Sequence, residues 1–266
     1  MNDTTRRSIL DHGYIEVIEH WGSDERVIES ARMSTGKGFN GWGPKCKACG
    51  GEFSPPAGLF GTNDIACPHC NNCYAAEPGD EKLLRFLWEN HHATPFEMAG
   101  ATIEIKAPIF VFREWHRHRT QSYNEMSARY TPIPNENYIP SVERLMLGSD
   151  GKNKQAGTVS GAAALTVEGA EEFRRALAVS YADTESLYQA ALAMGVPKEL
   201  ARVHLPVGRY SRMRASANLR NWLAFLSLRS TAKNHAAQWE IRQFADALHD
   251  MLSPVFPRTL SLFDGK

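Results

Sequence analysis

The sequence has no surplus charge of either sign: 30 Lys and Arg residues are matched by 30 Asp and Glu residues in a chain of 266. Without a net field nothing draws the whole molecule to nucleic acid or to an anionic membrane surface, so any anion site has to be a local cluster. Long apolar runs are missing too, and none approaches the roughly 20 residues that a membrane-spanning helix needs. The first residues are polar and charged, without the apolar core of a secretory signal. These absences lead us to expect a soluble, cytoplasmic protein. Cysteine is absent outside residues 46–73. That placement excludes a disulfide framework, which would staple distant parts of the fold.

What is present begins with those cysteines. Cys46, Cys49, Cys67, Cys70 and Cys73 form two Cys-x-x-Cys pairs and a third that overlaps the second. Paired thiols at this separation match a structural zinc ribbon. The fourth ligand is either Cys70 or Cys73, with His69 a weaker candidate. Redox-active thiols are the competing reading.

Along the chain, Tyr14 to Ile18 reads as a strand. Ser23 is placed to cap a helix through Arg32 that turns Val27, Ile28 and Ala31 to one side. Residues 36–79 are rich in Gly, Pro, Asn and Cys, and read as an insertion with a metal in place of a core. Asp80 opens a helix bearing Leu83, Leu84 and Leu87. Thr94-Pro-Phe-Glu97 has the form of a capping box at a helix start. Ile103, Ile105, Ala107, Ile109 and Val111 alternate as a strand. Residues 148–169 lack any period and read as a loop excursion. Phe173, Leu177, Tyr181, Thr184, Tyr188 and Ala191 share one helix face that stops at Gly195. Further helices fit Ala217 to Arg229 and Ala236 to Met251, with Trp222, Phe225, Leu226, Trp239, Phe244 and Leu248 as core. His12, His20 and His249 read as surface residues. The expectation is an α+β fold, mainly antiparallel sheet packed with helices, in a single domain over residues 1–266 that carries the ribbon-like insertion.

Between Arg113 and Arg129 stand four arginines, two histidines, two glutamates, two serines and an asparagine. Charged runs are commonly solvated helix faces. Here Arg117, His118 and Arg119 are consecutive, so a helix would point them in different directions. They also directly follow an apolar segment, where loops present binding groups. Guanidinium forks suit phosphates, and Ser and Asn suit sugar and base edges. The chemistry points to a nucleotide-like ligand.

Residues 117–129 read Arg-His-Arg-Thr-Gln-Ser-Tyr-Asn-Glu-Met-Ser-Ala-Arg. This segment resembles the signature of the flavin-dependent thymidylate synthases. The likeness extends to Ala31-Arg-Met-Ser34, His92-Ala-Thr-Pro-Phe-Glu97, Ala107-Pro-Ile-Phe-Val111, Ala201-Arg-Val-His-Leu-Pro206 and Ala237-Gln-Trp-Glu-Ile241. Only the cysteine insertion and the 148–169 loop fall outside it. The resemblance implies the fold of the thymidylate synthase-complementing proteins and a homotetramer whose active sites are shared between chains. It also implies FAD-dependent C5 methylation of dUMP to dTMP, with NADPH as reductant and methylenetetrahydrofolate as carbon donor.

By matching positions, Arg229 and His92 are the implied catalytic residues. Ser34, Thr94, Arg117, His118, Arg119, Glu125, Asn218, Arg220 and His235 are implied to hold the cofactor. Substrate is implied to bind Glu114, Arg117, Glu125, Met126, Ser127, Ala128, Arg129, Arg202 and Arg229. A structural zinc would lie on the cysteines, and no cysteine is left over as a nucleophile. Flavin hydride chemistry needs none.

The sequence also departs from the family pattern. Met98 stands for a common histidine, Glu114 for a common glutamine and Ala224 for a common asparagine. Glu114 and the insertion keep open a UMP/dUMP methylase of a nucleoside-antibiotic pathway. A non-catalytic relative is another reading. A zinc-ribbon nucleic-acid binder, using Lys45, Lys47, Phe53, Phe60 and Tyr74, is the alternative of a different class. The neutral chain lacks the basic stripe which that reading needs.

Overall fold

The computed structural model describes residues 6–46, 48–51, 66–71, 76–77, 79–148, 157, 159–160 and 165–265. Cys73, Lys47, Phe53, Phe60 and Tyr74 lie outside the described residues. The contacts of the chain divide into two compact units. One comprises residues 1–20, 101–217 and 221–254, the other residues 21–100, 218–220 and 255–266.

The first unit is built on a five-stranded sheet in the order β1-β2-β5-β9-β6. Its strands are β1 (Arg6–Ile9), β2 (Gly13–Trp21), β5 (Gly100–Pro108), β6 (Ser122–Glu125) and β9 (Tyr210–Asn218). β1 pairs antiparallel with β2, and β6 antiparallel with β9 in a register that sets Asn124 opposite Arg214. Alternation along β5 buries Ala101, Ile103, Ile105 and Ala107 and turns Thr102, Glu104 and Lys106 to the other face. β9 does the same with Met213, Ala215 and Ala217 against Arg212 and Arg214.

Against the buried face lie α3 (Ile109–Trp115), α7 (Leu219–Arg229) and α8 (Trp239–Leu252). Trp115, Trp222, Phe225 and Phe244 are all fully buried there. Trp115 stacks on Phe225 with ring centroids 4.5 Å apart, and the Trp222 indole donates to the Ala101 carbonyl at 3.0 Å. The last contact satisfies the one polar atom of a buried tryptophan while tying α7 to β5.

Several expectations need correction. Ile109 and Val111 belong to α3, not to the strand. Pro108 ends β5, and the amides of Ile109 and Phe110 bond instead to the carbonyls of Arg209 and Val207, both at 2.9 Å. Ala217 and Asn218 close β9, so the following helix starts at Leu219. Among the described residues, part of the 148–169 excursion is regular structure. β7 (Leu147–Gly148) pairs with β8 (Val159–Ser160), and α5 (Val167–Ala193) already starts where loop was expected, capped by Thr166. Tyr188 and Ala191 are buried on α5 as expected, while Phe173 is 48% exposed. His249 is half-buried beside Asp250 rather than on the surface.

The second unit packs α1 (Asp24–Arg32), α2 (Asp80–Glu89) and α9 (Pro257–Asp264) together. Ser23 caps α1 as its sequence suggests, accepting from the Arg26 amide at 3.4 Å. Asp24 is buried, and its carboxylate accepts from the Thr259 hydroxyl at 2.6 Å and from the Arg258 amide at 2.7 Å. Thr94-Pro-Phe-Glu97 forms a 3-10 turn without a side-chain cap. Glu97 does not reach back as a capping box would, because its carboxylate pairs with Arg220 at 2.5 Å. Between α1 and α2 the short strands β3 (Lys45–Cys46) and β4 (Ala76–Glu77) pair antiparallel.

Candidate active site

In the first unit α3 ends at Trp115, and the charged segment turns before entering β6. Two side chains pin this turn from beneath. The Trp115 indole donates to Gln121 Oε1 at 3.0 Å, and the Tyr123 hydroxyl donates to the His118 carbonyl at 2.6 Å. Arg117 and Arg119 project from it, exposed, with Arg113 exposed one turn earlier on α3. Among the described residues, none of the three has a carboxylate partner. Three exposed guanidinium groups within seven residues make a local cluster of positive charge in a neutral chain.

His118 is turned inward. Its ring meets Phe225 edge-on at 4.9 Å, and its Nε2 accepts from Arg229 Nε at 3.0 Å. Burial first, and the Arg229 charge second, push the imidazole down to about 4. At neutral pH it is therefore an uncharged acceptor with its proton on Nδ1. Arg229, the last residue of α7, also pairs through Nη1 with Glu114 Oε2 at 2.7 Å. Its side chain is only 17% exposed, so the guanidinium is held on two sides. Glu114 and His118 thus fix one arginine, and its chain distance hides this from sequence.

A cavity of about 530 Å³ opens beside this cluster's helix. Glu125, Met126, Ser127 and Ala128 line it from the end of β6, and Arg202 lines it from a 3-10 turn, Arg202–His204. Its size is that of an ordinary small-molecule site. Arg113 and His116 also face it, although neither is a fixed position of the signature. For Arg113 the missed signal is helical spacing: Ile109, Phe112 and Arg113 share one face of α3, invisible while that segment is read as strand. Arg129 is not among the residues that line the cavity, but pairs at 3.4 Å with Glu199, which is, both side chains being exposed. Glu114 and Arg229 are not among the lining residues.

The second unit carries another group of expected positions. Ser34 donates its hydroxyl to the Ala31 carbonyl at 3.1 Å. Thr94 opens the 3-10 turn, and the exposed His92 ring meets Phe86 edge-on at 5.4 Å. Asn218 ends β9 and Arg220 is exposed, paired with Glu97. His235, in the first unit, is exposed, and its carbonyl accepts from Arg242 at 2.9 Å. The sulfurs of Cys46, Cys49, Cys67 and Cys70 lie within 4.8 Å of one another, a set that could hold a metal.

A family model described as thymidylate synthase complementing protein matches residues 16–258. The chain belongs to this family, that of the flavin-dependent thymidylate synthases. It is 31% identical to the flavin-dependent thymidylate synthase of Wolbachia pipientis wMel, over 99% of this chain and 82% of that one. With the enzyme of the same name from Anaplasma marginale (strain St. Maries) identity is 34%, covering 96% and 73% of the two chains. Among solved structures, the UMP/dUMP methylase PolB from Streptomyces cacaoi bound with 5-Br UMP superposes with a TM-score of 0.71 at 26% identity, covering 97% of this chain and 96% of that one. The same methylase bound with 5-Br dUMP gives 0.71 at 28% identity, covering 97% of each chain. Flavin-dependent thymidylate synthases are methyltransferases, and the α+β fold with its antiparallel strand pairs agrees with that membership. Among the described residues, no helix is long and apolar enough to cross a membrane.

Proposed function

We propose that this chain is a cytoplasmic enzyme that methylates C5 of dUMP, giving dTMP. Methylenetetrahydrofolate, NADPH and a proton are consumed, and tetrahydrofolate and NADP⁺ leave. When bound and reduced by NADPH, FAD would supply the hydride that turns the one-carbon unit into a methyl group. The observation that carries this reading is the cavity of about 530 Å³ walled by Glu125, Met126, Ser127, Ala128 and Arg202.

The chain's residues fit both ligands chemically. In the cavity, Arg202 and Arg113 are cations for a nucleotide phosphate, and Ser127 and Glu125 are partners for the sugar. Arg117 and Arg119 provide exposed forks for flavin phosphates, with Ser34, Thr94, His92, Asn218, Arg220 and His235 as further flavin positions. Arg229 polarises the uracil ring, where negative charge builds on the N3/O4 side during reaction at C5. Neutral His118 holds Arg229 without repelling it. Arg229 and Glu114 do not line the Ser127 cavity, which supports an assembly, a homotetramer, in which two chains complete each site. The cysteine cluster, with zinc as its metal, has no step in this scheme. A second reading, UMP as substrate, is favoured by the solved relative that binds both 5-Br UMP and 5-Br dUMP.

Purified protein is expected to be yellow or to bind added FAD. Arg119→Ala should weaken that binding by about 1–3 kcal/mol, the range for losing a hydrogen bond to a charged group. Unchanged flavin affinity in a titration of this variant sinks the assignment of the turn.

A further inference from the structure

We propose that Cys46, Cys49, Cys67 and Cys70 bind one zinc ion in a site made of two matching knuckles, and that this ion fastens the segment joining α1 to α2.

The sulfur spacing carries the first half. Cys46 Sγ lies 3.8 Å from Cys70 Sγ, and Cys49 Sγ lies 3.7 Å from Cys67 Sγ. A disulfide needs about 2.05 Å. Four thiolates about 2.3 Å from one tetrahedral zinc stand about 3.8 Å apart. The backbone is arranged to match. In the first pair the amide of Ala48 donates to Cys46 Sγ at 3.4 Å, and the amide of Gly50 returns to the Cys46 carbonyl at 2.9 Å. In the second pair the amide of His69 donates to Cys67 Sγ at 3.4 Å, and the amide of Asn71 returns to the Cys67 carbonyl at 2.8 Å.

Each knuckle then leaves through a left-handed residue, Gly50 with φ 71° and Asn71 with φ 59°. Glycine and asparagine are the residues that accept this conformation most readily. The described residues of these two unlike Cys-x-x-Cys pairs thus share the same hydrogen bonds and the same left-handed exit. The Gly51 amide adds a donor to Cys49 Sγ at 3.4 Å. N–H groups aimed at sulfur favour the thiolate, the form that binds metal. Four described thiols complete the tetrahedron, so Cys73 is not required.

The second half follows from the neck of the insertion. β3 and β4 clasp directly beside Cys46, with Cys46 opposite Ala76. Gly79 passes so close to Trp42 that an added Cβ would lie 2.1 Å from the Trp42 carbonyl oxygen. The Asp80 amide donates to the Gly41 carbonyl at 2.9 Å. The buried Asp80 carboxylate accepts from the Asn40 amide at 2.6 Å and from Arg32 Nε at 2.9 Å. Trp42 donates to Glu25 at 2.8 Å, under the Arg258 guanidinium 4.4 Å from its ring. The neck is therefore stitched to both helices, and Arg32 lies two residues before Ser34. Among the described residues of the insertion, only Cys46 and Cys67 are buried apolar side chains. The ion replaces a core that the insertion lacks.

The metal assignment stands independently of the flavin reading; only the effect on Ser34 rests on it. Elemental analysis of the purified chain should find about one zinc per chain. Cys46→Ser and Cys67→Ser should each lose it, and Cys73→Ser should keep it. Should the serine variants fail to fold, mercurial titration of the wild-type thiols with a zinc-sensitive dye should release about one zinc per chain. Hydrogen exchange should then show lost protection at the amides of Asn40, Cys46 and Asp80, and FAD titration a weaker affinity. Zinc-free wild-type protein, stoichiometric iron instead, zinc loss in Cys73→Ser, or unchanged exchange at those amides after zinc release would overturn the proposal. A chain that binds zinc but no flavin would leave this site standing and remove the proposed function.

Discussion

Arg229→Ala is expected to cut methyl transfer by about a hundredfold or more, on the scale of losing an oxyanion-type donor, while FAD content and thermal stability stay close to wild type. The reason is differential stabilisation: a fixed guanidinium gains more from the charge that builds on the pyrimidine than from the neutral ground state. Fixation is visible in the bonds from Arg229 to His118 at 3.0 Å and to Glu114 at 2.7 Å. A helix-end arginine that only offsets the dipole would contribute about 0.3–1 kcal/mol to stability and nothing to turnover. Arg229→Lys should restore only part of the rate, because an ammonium cannot engage His118, Glu114 and substrate with a planar fork. Near-normal turnover in the alanine variant would reduce Arg229 to a helix-end charge.

Glu185→Ala should destabilise the protein by about 3–5 kcal/mol, the scale for orphaning a buried charge. Arg209 is fully buried and pairs with Glu185 of α5 at 2.7 Å. Nη2, which faces Glu185, also donates to the Ile133 carbonyl and Nη1 to Asn135 Oδ1, both at 3.0 Å, while Nε has no hydrogen-bond partner among the described residues. Removing the carboxylate leaves a desolvated guanidinium with neutral partners only. The double change Arg209→Met with Glu185→Leu should recover much of the loss, since apolar replacement of both members avoids the desolvation cost. Urea denaturation measures this directly. A loss below about 1 kcal/mol in the single variant would place the pair among weak surface bridges.

The strongly periodic or capped elements were legible in sequence: α1 with Ser23, α2 with its leucines, α5 up to Gly195. β9 was not. Ser211, Ala215, Ser216 and Ala217 are too small to show hydrophobic contrast, and Arg212 and Arg214 mask the period. Ile109 to Phe112 misled in the opposite way, because a short run apolar on every side has no period. Glu97 was drawn into a capping box by its spacing, whereas Arg220, brought near by the fold, holds its carboxylate. In the site, the resemblance at residues 117–129 supplied the ligand class and the named positions. It could not supply the partners of Arg229, because His118 is 111 residues away in the chain and meets it only through α7 packing on α3. Arg113 escaped for the same reason as the α3 boundary.

The central claim is tested most directly by product analysis. FAD-loaded protein is incubated with methylenetetrahydrofolate, NADPH and either dUMP or UMP, and the nucleotides are separated. The expected result is dTMP from dUMP, dependent on FAD and on methylenetetrahydrofolate, and lost in Arg229→Ala. Oxidation of NADPH by the flavin-loaded protein with no C5-methylated nucleotide from either substrate would contradict the account.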